Sequence, residues 1–299
     1  YNCRMAFVLA HLSDPHLAPL PRPRVDELIG KRITGYVNWR RHRRFVHERP
    51  VLDDLVTDLK AQKPDHIAVS GDIANIGLRR EFENGRAWLE SLGAPADVSA
   101  IPGNHDAYVR GALAIAAREW QANISGDDGA TGFPYLRRRG PMALIGLSTG
   151  MPTAWGLATG KLGDKQLADL AALLDETERE QAFRVVLIHH PPVSQTHWHK
   201  HLLDAAAFKR VIAAHGAELV LHGHDHLHML NWLDGPAGLR VPAVGVPSAS
   251  AAPGMARNGA AYNLYRIDGA PGHWQCDMIS RGIGSGDTMV EQQRSRLSG

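Results

Sequence analysis

Short apolar runs in this chain end repeatedly in small clusters of Asp, His, Asn and Gly. The runs alternate with amphipathic patterns of helical length, which predicts an α/β fold with helices on the faces of a sheet. Five clusters follow such runs: Asp14-Pro15-His16, Gly71-Asp72, Gly103-Asn104-His105-Asp106, His189-His190-Pro191-Pro192 and Gly223-His224-Asp225-His226. In open α/β sheets, ligands bind in the crevice outside the carboxyl ends of the strands. We therefore expect these distant clusters to converge on one site.

The apolar patterns also predict the order of the elements. Strands are expected at 5–12, 66–69, 98–101, 142–147, 184–188 and 219–221, and helices at 51–61, 79–92, 112–122, 164–180 and 205–215. After Gly223 the pattern changes to short strands at 239–246, 261–267 and 274–279, which predicts a second sheet packed on the first. We expect one domain over residues 1–279. Residues 280–299 are polar and are expected to be a loose, flexible tail, or to reach a neighbouring subunit in a homo-oligomer.

Composition places the chain among ordinary soluble globular proteins. Of its 299 residues, 44% are hydrophobic and 21% are charged, so long disordered stretches are not expected. The two cysteines, Cys3 and Cys276, lie near opposite ends without metal-type spacing, which favours a reducing compartment. The apolar run at 5–10 is far shorter than the ~20 residues of a membrane span and has no cleavage site after it. These features predict a cytoplasmic protein without a transmembrane segment.

One segment differs from the rest in charge. Residues 22–49 hold nine Arg or Lys against three acidic residues, a net charge of +6, within an insertion at about 17–50. Because the whole chain is +2, the remainder is mildly acidic. Tyr36, Trp39 and the run Arg40-Arg41-His42-Arg43-Arg44 are compatible with binding to nucleic acid or to an anionic membrane. The favoured interpretation is a solvated helix whose aromatic side chains pack on the body.

The residue types of the five clusters indicate a metal site. They supply carboxylates, imidazoles and one amide, a donor set that suits Fe, Mn, Zn or Co. Residues i and i+2 of an extended segment point the same way, so Asp14 and His16 can face one cleft. Taken singly, an Asp-x-His or Gly-Asp pair competes with an ordinary turn. Five clusters in order at strand ends make coincidence a poor explanation.

The ordered blocks resemble the calcineurin-like metallophosphoesterase superfamily. Its pattern of Asp-x-His, Gly-Asp, Gly-Asn-His-Asp, His and Gly-His-x-His is present here from Asp14 to His226. The stretch from Gly71 to Phe82 and the His-His-Pro-Pro block are similar to bacterial phosphodiesterases that act on cyclic nucleotides or glycerophosphodiesters. This subgroup more often has another residue where Asn75 stands. The resemblance implies a four-layer fold of two packed mixed β-sheets flanked by helices.

The resemblance also implies a binuclear centre of two divalent or trivalent transition-metal ions. His189 is assigned over His190 because the family ligand lies two residues before a proline. His190 would then support a ligand or face the substrate. The two implied ligand sets are Asp14, His16, His226 with bridging Asp72, and Asp72 with Asn104, His189 and His224.

A binuclear centre of this family implies in-line hydrolysis of a phosphate ester by a hydroxide shared between the ions. His105, with Asn104, would bind the phosphate and either stabilise developing charge or protonate the leaving oxygen. Asp106 would orient the imidazole of His105 or serve as a helix N-cap.

The function implied is that of a hydrolase acting on phosphoric esters, with a small phosphodiester as the favoured substrate. Alternatives are a phosphomonoesterase or nuclease at the same site, or an inactive binding module of the same fold, which would be expected to have lost ligands. Nucleic acid is a less favoured partner. His197, His199 and His201 are interpreted as part of an exposed loop, with a cleft-lining or third-metal role as the alternative.

Overall fold

The computed structural model describes residues 6–284 and 288–298 and contains two six-stranded sheets. The strands are β1 (Phe7–Leu12), β2 (His66–Val69), β3 (Val98–Ala100), β4 (Tyr135–Arg139), β5 (Met142–Gly146), β6 (Phe183–Leu187), β7 (Leu219–His222), β8 (Met229–Asp234), β9 (Arg240–Gly245), β10 (Ala261–Ala270), β11 (His273–Ile283) and β12 (Met289–Ser298).

Most of the α-helices cover the outer faces of the sheets. They are α1 (Lys31–Arg41), α2 (Arg49–Ala61), α3 (Arg79–Leu92), α4 (Ala112–Glu119), α5 (Gln121–Ile124), α6 (Asp164–Arg179) and α7 (Ala205–His215). Short 3₁₀ turns occur at Val25–Leu28, Arg43–Phe45, Trp198–Lys200 and Pro236–Gly238. None of the helices within residues 6–284 and 288–298 is long and apolar enough to cross a bilayer.

Both sheets are mixed. The first has the order β12-β11-β10-β1-β2-β3, in which β1, β2 and β3 are parallel and β10 to β12 are antiparallel. The second has the order β4-β5-β6-β7-β9-β8, with a parallel centre and an antiparallel strand at each edge. The carboxyl ends of the parallel strands carry the loops that contain the five polar clusters.

Alternation along β6 shows how the layers pack. Val185 and Leu187 belong to the apolar core between the two sheets, whereas Val186 and Ile188 belong to a second core under α6 and α7. Successive side chains of a strand point to opposite faces, so an unbroken apolar run is what a strand buried on both sides requires. The prediction of two packed mixed sheets flanked by helices is confirmed. The strands expected at 261–267 and 274–279 do not belong to the second sheet, because β10 pairs with β1 and β11 pairs with β10 in the first.

The structure differs from the prediction at the chain's polar end. Residues 289–298, expected to be a loose tail, form the edge strand β12, which pairs with β11 in the register Met278↔Ser295. Most of its side chains are exposed, so the strand has no apolar period. Its backbone ladder with β11, together with the buried side chain of Leu297, holds it in place. Cys3 and the start of the strand predicted at 5–12 lie outside the described residues.

The basic segment packs on the body through its aromatic residues. Tyr36 and Trp39 of α1 lie against a small apolar cluster that includes Leu20 and Ile76. The guanidinium of Arg32 donates to the carbonyl oxygens of Ile76 and Gly77. These contacts agree with the favoured interpretation of a solvated helix with packed aromatics, and they hold the segment beside the loop that follows β2.

Candidate metal centre

The five polar clusters converge as predicted. The backbone at the donor residues, however, is not extended, as the expectation for Asp14 and His16 assumed. Asp14, His16, Asp72, His224 and His226 all have positive φ, between 37° and 67°, so their segments are left-handed and not extended. Within the described residues these five make up most of the eight non-glycine residues of this kind. Such conformations cost about 1–3 kcal/mol each and persist where the surrounding structure fixes them, typically at functional sites.

Glycines allow the loops to approach one another. Gly71 has φ 102°, and a side chain there would meet the backbone nitrogen of Gly103 at 2.7 Å. A Cβ at Gly103 would collide with the carboxylate of Asp72. Both positions therefore need glycine to bring the loops after β2 and β3 together.

The first donor set lies around Asp14. Its Oδ1 is 3.1 Å from Nε2 of His226 and 3.8 Å from Nε2 of His16, and the two imidazole Nε2 atoms are 3.4 Å apart. The other carboxylate oxygen, Oδ2, accepts a hydrogen bond from the backbone N–H of His224 at 2.9 Å. Asp14 is thus held by one oxygen and presents the other to the two imidazoles.

The second donor set shares Asp72 with the first. Oδ2 of Asp72 is 3.9 Å from Nε2 of His16 and 3.4 Å from Nε2 of His189. His189 Nε2 is also 3.1 Å from Oδ1 of Asn104. Donor atoms of Asp72, His189 and His224 lie within 4.8 Å of one another. The carboxylate of Asp72 therefore lies between the two donor sets.

Hydrogen bonds behind the imidazoles fix which nitrogen faces the centre. Nδ1 of His189 donates to the carbonyl oxygen of Ser70 at 2.7 Å, which leaves Nε2 as the donor atom for a metal. Nε2 of His224 donates to the carbonyl oxygen of Lys200 at 2.9 Å, which leaves Nδ1. Such outer contacts orient metal-binding histidines and set their tautomers.

The electrostatics of the cluster favour a cation. Burial disfavours a charged imidazole, but the carboxylates of Asp72 and Asp14 outweigh it and raise the pKa of His189 to about 10. Burial opposes ionisation of Asp14, yet His226 and His189 hold the pKa of Asp14 well below its usual range. Two buried carboxylates that hold a proton on His189 at neutral pH would hold a metal cation among the same donors, and this carboxylate and imidazole set fits ions of intermediate hardness.

Comparison with known proteins identifies the family. The model of the calcineurin-like phosphoesterases matches residues 7–228. The chain belongs to this family. The match spans all five polar clusters, so the resemblance seen in the sequence is confirmed.

Relatives within the family include two enzymes named as phosphodiesterases. The chain is 33% identical over 173 residues to a probable cyclic nucleotide phosphodiesterase of Synechococcus sp., a match over 56% of this chain and 60% of that protein. It is 28% identical over 195 residues to the glycerophosphodiester phosphodiesterase GpdQ of Enterobacter lignolyticus, over 62% of this chain and 57% of that protein. The chain thus matches less than two thirds of the length of either relative.

A solved structure shows the same fold over the whole chain. A dimetal phosphatase from Danio rerio superposes with a TM-score of 0.65 at 15% identity, covering 98% of this chain and 99% of that one. At this identity the likeness concerns the fold, and it agrees with the four-layer architecture described above.

His47 is a further histidine of the centre that the sequence did not reveal. Its ring centroid lies 4.4 Å from that of His16 and 5.8 Å from that of His226, and donor atoms of the three lie within 4.8 Å of one another. Nδ1 of His47 is hydrogen-bonded to Oγ of Ser250 at 2.9 Å. His47 ends the basic segment and follows no apolar run, so no strand-end pattern marked it.

His105 lies at the edge of the centre, as the family pattern implies, and contacts the basic segment. Its Nδ1 donates to the carbonyl oxygen of Asn75 at 2.5 Å, and Nη1 of Arg43 lies 2.6 Å from its Nε2. Burial and the guanidinium of Arg43 lower the pKa of His105 to about 3. The loop that carries Asn75 is held by Glu81, whose carboxylate accepts hydrogen bonds from three backbone N–H groups.

Asp106 does not contact the imidazole of His105, so the predicted orienting role is wrong. It is also not a helix N-cap, because α4 begins at Ala112. Its carboxylate accepts hydrogen bonds from the backbone N–H groups of Gly103, Ile73 and Ala74 at 2.8, 3.3 and 2.7 Å. Asp106 therefore ties together the loops after β2 and β3 that present Asp72 and Asn104.

His190 is not available to a substrate, which corrects that part of its assignment. Nδ1 is 2.6 Å from Oγ1 of Thr149, and Nε2 donates to the carbonyl oxygen of Ala158 at 3.0 Å. Its ring lies 4.2 Å from that of His224, centroid to centroid. Both nitrogens are engaged, so His190 supports His224 from behind.

The histidines at 197, 199 and 201 lie in the loop around the 3₁₀ turn Trp198–Lys200. The rings of His197 and His199 stack at 5.6 Å, and Nε2 of His201 donates to the carbonyl oxygen of Thr196. His197 is exposed, in agreement with the loop interpretation. A large cavity of about 750 Å³ lies elsewhere, between residues 17–22 and α3, and its lining includes none of the metal-donor residues.

Proposed function

We propose that the protein is a phosphodiesterase that hydrolyses a small phosphodiester at a centre of two transition-metal ions. The position of Asp72 carries the proposal, because its Oδ2 lies between the Nε2 atoms of His16 at 3.9 Å and His189 at 3.4 Å. One ion would be held by Asp14, His16, Asp72 and His226. The other would be held by Asp72, Asn104, His189 and His224.

Metal ions bound at these donors supply an activated water nucleophile and Lewis-acid stabilisation of phosphoryl oxygens. The protein's contribution is to hold the donors at fixed positions. Asp14 is fixed by the N–H of His224, and Asp72 by the N–H of His105 at 2.7 Å. Since these ligands are oriented by backbone groups of neighbouring loops, the centre is built before a substrate arrives.

His105 and Arg43 form the phosphate-facing side of the proposed site. Nδ1 of His105 donates to the carbonyl oxygen of Asn75, and Nε2 accepts from Nη1 of Arg43. A substrate phosphate would therefore reach Nε2 of His105 by replacing its contact with Arg43. Arg43 brings a guanidinium to this same atom. Guanidinium groups bind phosphate oxygens with charge-assisted hydrogen bonds. We assign Arg43 to binding a non-bridging oxygen and His105 to the leaving-group side of the phosphorus.

A small diester is favoured over a monoester or a polymer. The two relatives described above are named as phosphodiesterases, and the chain outside residues 22–49 is mildly acidic. An enzyme that binds a nucleic-acid polymer makes many phosphate contacts, so its affinity falls steeply with salt. A small diester needs the metal ions and one or two cleft residues, so its hydrolysis should depend weakly on salt.

The test is kcat/KM of the metal-loaded protein for bis(p-nitrophenyl) phosphate, p-nitrophenyl phosphate and a single-stranded oligonucleotide at low and high salt. We expect the diester to be preferred, with little effect of salt. A strong monoester preference would reassign the protein as a phosphatase. Oligonucleotide cleavage that collapses with added salt would make it a nuclease. Absence of turnover on all three, with metal bound, would support a binding module instead.

A further inference from the structure

Three segments surround the metal centre and form what we call the rim: residues 22–49, 151–160 and 194–203. Each contacts a histidine of the centre. Arg43 of the first lies 2.6 Å from His105, the carbonyl oxygen of Ala158 accepts from His190, and that of Lys200 accepts from His224. All three segments of the rim therefore lie beside the metal centre.

Direct contacts join the three segments into one surface. Nζ of Lys31 donates to Oγ1 of Thr153 at 2.7 Å and to the carbonyl oxygen of Leu157 at 3.2 Å. The N–H of Ala158 donates to the carbonyl oxygen of His199 at 2.9 Å. A partner that meets one segment of the rim will meet its neighbours.

The rim exposes an unusual amount of apolar surface. It carries eight of the thirteen large apolar side chains that are exposed within the described residues. These are Val25, Ile29, Ile33, Val37, Phe45, Trp155, Trp198 and Leu203. Scattered apolar residues are normal on a protein surface, but their concentration in a few adjacent segments marks an interaction site.

Cations accompany the apolar side chains. On α1 the exposed face combines Ile33 and Val37 with Arg40 and Arg41, and Arg44 follows directly after the helix. Tyr36 and Trp39 of the same helix pack on the body, and the guanidinium of Arg40 lies over the ring of Tyr36 at 6.0 Å. Arginine side chains can lay their aliphatic stems along apolar surface while their charged ends reach the polar headgroups of a membrane.

We propose that the rim docks on the surface of a lipid bilayer that contains anionic phospholipid. The net charge of +6 on residues 22–49 complements such a surface. Five of the eight apolar side chains are aliphatic, which suits acyl chains, whereas nucleic-acid bases stack on aromatic rings. A second copy of the chain would bring two segments of +6 together. The docking proposal does not depend on the substrate proposed above.

The test measures binding of the whole chain to phosphatidylcholine vesicles with and without phosphatidylglycerol by co-sedimentation. We expect tight binding only to the anionic vesicles, weakened at least about tenfold by raising the salt concentration, because the headgroup attraction is screened within a Debye length. Binding that is equal on both vesicle types, or is absent, would overturn the proposal. This comparison of the two vesicle types uses the wild-type protein alone.

Matched variants locate the docking surface. I33S/V37S should weaken binding by at least about tenfold, since it removes apolar area from the free face of α1. Its control is L230S/W232S on β8, where the exposed fractions, 38% and 40%, are close to the 47% and 41% of Ile33 and Val37. The control should bind like the wild type. An equal loss in both double variants would overturn the assignment to the rim.

A second pair of variants tests the charge. R40Q/R41Q/R44Q should weaken binding roughly a hundredfold, because each cation near an anionic surface contributes on the order of 1 kcal/mol. Its control, R179Q/K209Q/R266Q, removes three exposed cations of α6, α7 and β10 and should have little effect. Unchanged thermal unfolding midpoints verify that the variants fold.

Two other occupants of the rim would be recognised by the same variants. A dimer that dissociates in I33S/V37S, without vesicle binding by the wild type, would identify a second copy and overturn the proposal. Binding of a single-stranded oligonucleotide that depends on Arg40, Arg41 and Arg44, again without vesicle binding, would identify nucleic acid and overturn it as well.

Discussion

Nη1 of Arg43 lies 2.6 Å from Nε2 of His105, although the two residues are 62 positions apart in the chain. The contact places a cation of the basic segment against the histidine that the family pattern sets beside the phosphate. Through this contact, the basic segment lines one side of the candidate site. Substitutions at Arg43 should therefore affect catalysis, whereas those at its neighbour Arg44 should not.

Arg43→Ala is expected to lower kcat/KM for a small diester by about 10- to 100-fold, the value of one charge-assisted hydrogen bond to phosphate. Arg43→Lys should recover part of the loss, because lysine keeps the positive charge but lacks the planar set of N–H donors of the guanidinium. Arg44→Ala is the matched control. Steady-state kinetics on a soluble diester decide the matter, and equal effects at positions 43 and 44 would exclude a specific role for Arg43.

His105→Ala should keep both metal ions and lose about 10²–10⁴-fold in turnover on a diester with a poor leaving group. The loss should be smaller on a p-nitrophenyl ester, whose leaving group needs no assistance. Tyr108→Phe is the control, because its ring stacks on His105 with a centroid distance of 5.7 Å and the variant retains that ring. Near-normal turnover of His105→Ala on the poor substrate would refute the role.

The sequence predicted that most of the candidate donors would lie close together, because each follows an apolar strand whose end is visible locally. β2, α3 and α7 begin and end where the patterns placed them. Asp14, Asp72 and Asn104 follow strands of the first sheet, and His189, His224 and His226 follow strands of the second. Strand order places each set at one sheet edge, and the packing of the two sheets brings the sets together.

The residues that the sequence could not predict are brought to the centre by contacts between segments that are far apart in the chain. Arg43 and His47 reach the centre because residues 46–48 are bound to the loop after β9, where the N–H of Glu48 donates to the carbonyl oxygen of Ser250. Nothing near His47 in the sequence encodes that pairing. β12 was missed for another reason, since most of its side chains are exposed and its sequence shows no apolar alternation.

Metal analysis tests the bridging position of Asp72. The wild type should bind about two ions per chain, Asp14→Ala one, and Asp72→Ala none, because Asp72 belongs to both donor sets. Asp225→Ala is the control within the same motif, since its carboxylate is hydrogen-bonded to Ser194 and Thr196 and not to the centre. Elemental analysis showing full metal content in Asp72→Ala would refute the two-site assignment.

Asp106→Ala should destabilise the metal-free protein by about 2–4 kcal/mol, because three buried backbone N–H groups would lose their acceptor. It should also weaken metal binding by about 10- to 100-fold, as expected for a residue that positions ligands. Chemical unfolding in the presence of chelator gives the first quantity and metal titration the second. A variant with normal stability and lost activity would restore the direct catalytic role that the structure argues against.

The last prediction concerns the link between α2 and β11. The carboxylate of Asp58 accepts two hydrogen bonds from Arg281, both at 2.8 Å, and one from the hydroxyl of Tyr262 at 2.5 Å. Burial raises the pKa of Asp58, but the bonds from Arg281 and Tyr262 outweigh it and hold the pKa below its usual range. A carboxylate whose pKa is lower in the folded state stabilises the fold at any pH above its unfolded pKa.

Asp58→Asn is therefore expected to lower the free energy of unfolding by about 1.5–3 kcal/mol at pH 7. The difference from the wild type should shrink as the pH falls below about 4, where the unfolded carboxyl takes up its proton, and continue to shrink through the folded pKa. Asp53→Asn is the control on the same helix, because its pair with Arg49 is exposed and should contribute less than about 0.5 kcal/mol. Urea unfolding of the metal-free proteins between pH 7 and pH 3.5 measures both effects. A difference that stays constant over this range would show that Asp58 acts through packing and not through its charge.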